Sequence, residues 1–222
     1  MQENKIQFYG RKKGRKLSKE KNKIVNLLGP QIFIKKSNLN TTLNHSSEKN
    51  YLEIGFGCGE NLLNLSKIYP ESIFFGAEPY INSYVKLMQK IYKEQIKNIK
   101  IWPDDVRLIM SCFENSFFDK IFILHPDPWQ KKKHKKRRIV QQDFLDALSR
   151  VLKRNGTIIL STDEKNMKSW ILEQFHIRED FEWQINHIKE IFNKPDNFIE
   201  SKYSEKAKKG KKIINWFFFK KK

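Results

Sequence analysis

Cysteine is nearly absent. Cys58 and Cys112 are the only two in 222 residues, and they form neither a disulfide framework nor a metal-ligand spacing. That pattern points to a reducing compartment, the cytoplasm, and to a protein without a bound metal. No apolar run approaches the roughly 18 residues of a membrane-spanning helix. The basic start of the chain lacks the apolar stretch of a secretory leader. No internal repeat is visible. Glycine is scarce, with nine residues, so three glycines within five positions carry information. Acid is scarce relative to base: 25 carboxylates face 44 cations, for a net charge of +19. Such an excess favours a polyanionic partner, nucleic acid ahead of an anionic membrane surface.

The positive charge is clustered. Residues 11–23 hold eight cations and one acid, 131–138 seven cations and no acid, and 202–222 nine cations and one acid. The remainder is near neutral, with 20 cations and 23 acids. Clusters on a neutral background read as binding surfaces. Residues 1–24 are polar and basic and are expected to be mobile when free. The stretch 24–36, IVNLLGPQIFIKK, is apolar enough to pack on something, and 37–50 has the composition of a linker. The expected organisation is a basic arm and linker over 1–45 and one folded domain over 46–222.

Within that domain, apolar strands alternate with amphipathic helices. Strands are expected in NYLEIGFG (50–57), SIFFGAEP (72–79), NIKIWPDD (98–105), DKIFILHPD (119–127) and TIILSTDE (157–164). Helices are expected over 60–70, 80–95, 106–113, 142–156 and 165–175, with Asn155–Gly156 stopping the fourth. FEWQINH and INWFFFK are late strands. This order predicts an α/β doubly wound, Rossmann-like fold, its sheet mostly parallel and extended by the late C-terminal strands.

LEIGFGCGE (52–60) sets Gly55, Gly57 and Gly59 between the first strand and first helix, where glycine permits a tight turn and close approach to a ligand. The spacing is G-x-G-x-G, which differs from the dinucleotide pattern and disfavours a nicotinamide oxidoreductase. Glu53, two residues before the loop, would repel a phosphate and welcome an ammonium or sulfonium. Glu78 ends the second strand, where a carboxylate can accept from ribose hydroxyls. Asp104 and Asp105 end the third. Each acid alone reads as a helix cap. Together with the loop they favour a nucleoside-type cofactor carrying positive charge, and S-adenosylmethionine has that chemistry.

In such a sheet the fourth strand lies beside the first, and ligands bind beyond the strands' C-terminal ends. That places PDPW (126–129) at the cofactor's reactive end. Pro126 and Pro128 restrict the backbone around Asp127 and Trp129. The acid can accept from the N–H groups of a base, and the indole can stack on it. The cations of 131–138 then begin where a substrate's phosphates would pass. Asp163, in STDE after the fifth strand, sits on the same rim and reads either as a substrate contact or as a helix cap.

Taken together, EIGFGCG, GAEP, PDPWQKKKHKKRR and STDE resemble the bacterial tRNA (guanine-N7)-methyltransferases, as do FYGRKKGR near the start and SKYSEKAKKGKKI near the end. The resemblance implies an S-adenosylmethionine-dependent enzyme that methylates N7 of guanine 46 in the tRNA variable loop. It implies cofactor contacts at Glu53, Glu78, Asp104 and Asp127, with Asp127 also catalytic, beside the loop glycines Gly55, Gly57 and Gly59. It implies substrate contacts at Lys131, Asp163 and the motif Ser201-Lys202-Tyr203-Ser204. In that motif the family carries Glu where Ser204 stands, and Glu205 follows directly. The implied partner is tRNA, with no membrane, no metal and no obligatory protein partner; an oligomer is compatible with the sequence. Competing readings are a non-catalytic RNA-binding protein on the same fold and a methyltransferase for another RNA; keeping Glu53 and Glu78 disfavours the first.

Overall fold

The structure is a computed structural model, and it describes residues 7–38, 49–199, 210 and 212–222. A seven-stranded sheet runs through the molecule in the order β3-β2-β1-β4-β5-β7-β6. Its strands are β1 (Asn50–Ile54), β2 (Ile73–Ala77), β3 (Ile99–Trp102), β4 (Phe118–Leu124), β5 (Leu152–Thr162), β6 (Phe181–Trp183) and β7 (Asn215–Lys221). β1 pairs in parallel with β2 on one side and β4 on the other. β3 and β5 extend the parallel sheet outward, and β7 is antiparallel to both β5 and β6. The expected doubly wound architecture is therefore present, with the last strand inserted between β5 and β6.

The helices are α1 (Lys19–Ile32), α2 (Glu60–Ile68), α3 (Ile81–Glu94), α4 (Gln142–Val151) and α5 (Lys165–His176). Each presents an apolar stripe to the sheet. In α3 the stripe is Tyr84, Val85, Leu87, Met88 and Ile91; in α4 it is Phe144, Leu145, Leu148 and Val151. α3 ends where Gln95 turns left-handed, φ 53°. The apolar residues form two layers. One gathers Phe75, Phe113, Phe117 and Phe118 with α4 and α5; the other gathers Phe74 and Phe122 with α1, α2 and α3.

Two local expectations differ from what is seen. The stretch 106–113 is two short 3-10 turns, Val106–Leu108 and Met110–Cys112. α4 ends at Val151 because Leu152, fully buried, pairs with Phe118 to open β5. The ladder then skips to Lys120 opposite Thr157, so left-handed Asn155 (φ 64°) and Gly156 serve a bulge and do not end a helix. Residues 7–24 are also placed. Ser18 caps α1 by accepting from Lys21 N, and residues 7–15 cross the ends of β2 and β3. Ile81 N donates to Lys12 O at 3.0 Å, and Asn82 Nδ2 donates to Arg15 O at 2.9 Å.

The apolar stretch 24–36 packs as expected. Leu28 and Ile32 of α1 join the core beside α3, and Ile34 N donates to Ile101 O at 2.9 Å, which covers the outer edge of β3. Among the described residues no helix is long and apolar enough to cross a membrane, and no cluster of His, Cys, Asp and Glu could hold a metal ion.

Gly76 on β2 lies close beneath Phe56 of the loop and Leu62 of α2. A Cβ there would stand 2.6 Å from the Phe56 ring and 2.7 Å from Leu62. Gly76→Ala should overpack this contact and cost about 1–3 kcal/mol. Urea unfolding should show a lower midpoint at unchanged slope.

Candidate functional site

A cavity of about 440 Å³ opens beyond the C-terminal ends of β1, β2 and β4. The chain reverses its winding direction between β1 and β4, which leaves a crevice there. Gly55 and Gly57, Glu78, and Asp127 with Trp129 all line it.

Gly55, Gly57 and Gly59 all have positive φ, 70°, 57° and 71°. Side chains rarely adopt that region. A Cβ on Gly55 would meet nothing within 4 Å, so this face of the loop borders open space. Glu78 holds the loop in place. Its Oε2 accepts from Gly57 N at 2.9 Å and its Oε1 from Tyr80 N at 2.8 Å. Burial pushes the Glu78 carboxyl above its usual range, and the two backbone donors pull it back. Each carboxylate oxygen retains a second lone pair for a ligand hydroxyl.

Glu53 lies beneath the loop, 3% exposed, and does not line the cavity. Its Oε2 accepts from Asn61 Nδ2 at 3.0 Å. Burial, against the Asn61 bond and with help from the neighbouring Glu60 and Glu78 charges, pushes it up to about 8. Beside it, Asn61 Oδ1 and Glu60 Oε1 are buried without a hydrogen-bond partner. Two acceptors short of donors thus lie beside the Glu53 carboxyl.

Asp104 stands on the rim, where it accepts from Lys12 Nζ of the arm and from Asp105 N. Asp105, the cavity-lining neighbour, is 5% exposed and receives a forked contact from Arg107 Nε and Nη2. Arg107 Nη2 also donates to Gln7 O, which ties the arm to this wall.

The PDPW turn begins two residues beyond β4 and is held in an unusual shape. His125 and Trp129, on either side of Pro126-Asp127-Pro128, have φ 48° and 40°. Non-glycine residues in this region each cost on the order of 1–3 kcal/mol unless their surroundings enforce it. Arg138 enforces it here. Nearly buried, it donates from Nε to Pro128 O at 2.9 Å, and Nη2 reaches Trp129 O at 3.5 Å. Asp127 is exposed at the cavity mouth, yet the protein packed around it withholds enough water to raise its carboxyl above the usual value. His125 Nδ1 lies 3.4 Å from Asp163 Oδ1, and Lys212 Nζ lies 3.3 Å from Asp163 Oδ2. Burial alone would raise Asp163, but bonds from its own backbone, Lys212 and His125 bring it below its usual value.

The basic run divides. Lys131, Lys132, Lys133, Lys135 and Lys136 face solvent. Arg138 turns inward, and Arg137 lies against Tyr9 and Trp129, 4.7 and 5.0 Å from their ring centres. Phe8, Tyr9, Gly10 and Arg11 of the arm line the cavity opposite the turn. The sequence reading assigned no role to Tyr9 or His125, and took Arg137 only as one cation of the 131–138 run. The only hint was FYGR recurring with the other motifs, without chemistry to place it. Ser201, Lys202, Tyr203 and Ser204 lie outside the described residues.

Comparison with known proteins agrees with this geometry. Residues 47–216 match a family model described as "Putative methyltransferase". A tRNA (guanine-N(7)-)-methyltransferase of Rhodopseudomonas palustris is 31% identical over 91% of this chain and 81% of its own length. A bifunctional methyltransferase of Rickettsia prowazekii is 34% identical over 90% of this chain. The chain spans only 37% of that relative's length. Among solved structures, an antibiotic-related methyltransferase superposes with a TM-score of 0.55 at 16% identity, covering 85% of this chain and 94% of its own. At that identity the likeness shows the fold.

The Glu53 carboxyl generates a stability prediction. Its folded-state pKa of about 8 lies above the ordinary 4.5. The folded protein therefore keeps a proton that the unfolded chain has lost, and stability falls as pH rises between those two values. Glu53→Gln should remove this loss. The melting temperature should exceed that of the wild type by a few degrees at pH 8, and the gap should close toward pH 4.5. Melting scans of both proteins across that range are the measurement.

Proposed function

The chain belongs to the tRNA (guanine-N7)-methyltransferase family, and we propose that it transfers the methyl group of S-adenosylmethionine to N7 of a guanine in tRNA. The variable-loop guanine 46 is the target we favour, following the family resemblance. One observation carries the reading: a single cavity at the β1/β4 crevice joins the glycine loop and Glu78 to Asp127 and Trp129.

The residues suit the cofactor. Gly55 leaves room for close approach, and Glu78 keeps lone pairs for ribose hydroxyls. Glu53 with the orphaned acceptors of Asn61 and Glu60 suits an ammonium. Asp104 or Asp105 closes the adenine end, beyond Glu78. S-adenosylmethionine, when bound, supplies an electrophilic methyl on a sulfonium.

Guanine N7 carries a lone pair at neutral pH, so no residue has to remove a proton. The chain's work is alignment at a near-attack distance of ~3–3.5 Å and placement of charge. Asp127, held by its flanking prolines and by Arg138, accepts from the N–H groups of the base. It also stabilises the positive charge that the purine gains. Trp129 offers a stacking face. Asp163, Lys131 and the Ser201–Ser204 segment contact the substrate, with Glu205 standing in for the carboxylate missing at Ser204. The exposed lysines of 131–136 hold phosphates. We assign 1–45 as arm and linker, 46–222 as the catalytic domain, and the cytoplasm as the compartment; both cysteines are free.

The test uses the purified protein, radiolabelled S-adenosylmethionine and bulk tRNA, with the product digested to nucleosides. Label should appear in 7-methylguanosine. Label elsewhere would sink the substrate assignment. Absence of both label and cofactor binding would favour a non-catalytic RNA binder. Asp127→Ala should lower turnover about 10²–10³-fold while changing cofactor affinity little. Equal losses in both would make it a cofactor residue. Neutralising Lys131, Lys132 and Lys133 should weaken tRNA binding and flatten its salt dependence.

A further inference from the structure

Arg137 stands in the cavity wall with its hydrogen-bonding capacity unanswered among the described residues. Its Nε is buried without a partner. No hydrogen bond or ion pair to a described residue is formed by the rest of the group. Its neighbours Arg107 and Arg138 differ: the first is forked onto Asp105 and the second is bonded to the PDPW backbone. A buried charged donor left without an acceptor costs well over 1 kcal/mol, so its placement calls for an acceptor that arrives from outside.

The surroundings say which kind. The Arg137 guanidinium lies over both Tyr9 and Trp129, and these rings stand edge-to-face at 72° with centres 6.4 Å apart. It is thus preorganised between two aromatic walls and shares the cavity with Asp127. The solvent-facing lysines, free to follow a phosphate backbone, lie on the outside of the same turn. Guanine presents N1–H and N2–H donors on one edge and the acceptor O6 beside them. A carboxylate for the donors and a guanidinium for O6 match that polarity. Adenine presents the reverse at positions 1 and 6, so both contacts would be left unpaired. Arginine commonly takes guanine O6 and N7 together. Here N7 has to stay bare as the nucleophile, which leaves O6 as the single acceptor.

We propose that Arg137 determines specificity by donating to O6 of the target guanine, with Tyr9 of the arm as its positioning residue. The proposal rests on the functional reading above and extends it to how the base is chosen.

The experiment compares tRNA carrying guanine or 6-thioguanine at the target position, since sulfur is a poor acceptor. Wild type should favour the oxygen substrate in kcat/KM by about 10–100-fold, the worth of a hydrogen bond to a charged group. Arg137→Met should lose about that factor on guanine and reduce the oxygen preference to near unity. Its salt slope for tRNA binding should be unchanged. Tyr9→Ala should lower both activity and oxygen preference, and Tyr9→Phe should restore both.

Persistence of the preference in Arg137→Met would overturn the proposal. So would a salt slope reduced by about one at unchanged kcat, which would mark a phosphate contact. Wild type alone also decides: activity indifferent to sulfur would sink the Arg137 assignment while leaving methyl transfer intact. A wild type inactive on guanine would sink both.

Discussion

The parallel pairing of β1 with strands on both sides is the constraint from which the site follows. β1 lies between β2 and β4 over four or five residues in each ladder. A parallel strand has to be left and re-entered by a crossover. The crossovers from β1 to β2 and onward to β4 run to opposite sides, so their entrances part at the C-terminal end of β1. The crevice between them is unavoidable. The sequence decides only what lines it: glycines and Glu78 on one side, the proline-bounded turn on the other.

The two sides are fixed by different means. The glycine loop is held by a carboxylate that accepts from the backbone N–H groups of Gly57 and Tyr80. The turn is held by a guanidinium that donates to backbone carbonyls at Pro128 and Trp129. Each charged side chain replaces the ladder bonds that a loop lacks. The cavity wall thus keeps its shape without regular secondary structure and leaves its inward face to ligands.

Much of this was legible in the sequence, for identifiable reasons. Strands and helices followed from apolar periodicity, and the G-x-G-x-G spacing and PDPW announced the crevice. Where the reading missed, a local preference had been overruled by long-range packing. Asn155–Gly156 looks like a helix stop, yet burial of Leu152 against Phe118 ends α4 earlier and moves the pair into a bulge. Composition also gives no place to the arm, which bonds from Ile81 N and the Asn82 side-chain amide and the Arg137 stack lay across the cavity. The inward turn of two arginines in a run of seven cations leaves no trace in composition. Composition counts charges without saying which way they face.

The position of β7 has a consequence for how the molecule is made. Among the described residues, β6 enters the sheet only through β7, and the outer side of β5 is covered only by β7. Residues 215–221 are thus the keystone for segments that leave the ribosome well before them. Until those residues emerge, the outer edge of β5 shows unpaired N–H and C=O groups, and β6 has no partner. The parallel half of the sheet can assemble during synthesis. The antiparallel half has to wait, exposing an apolar edge that invites wrong pairing during the interval. Lys220 and Lys221, opposite Thr157 and Phe181, put charge on the strand that closes this gap, which lowers its tendency to pair with a copy of itself beforehand.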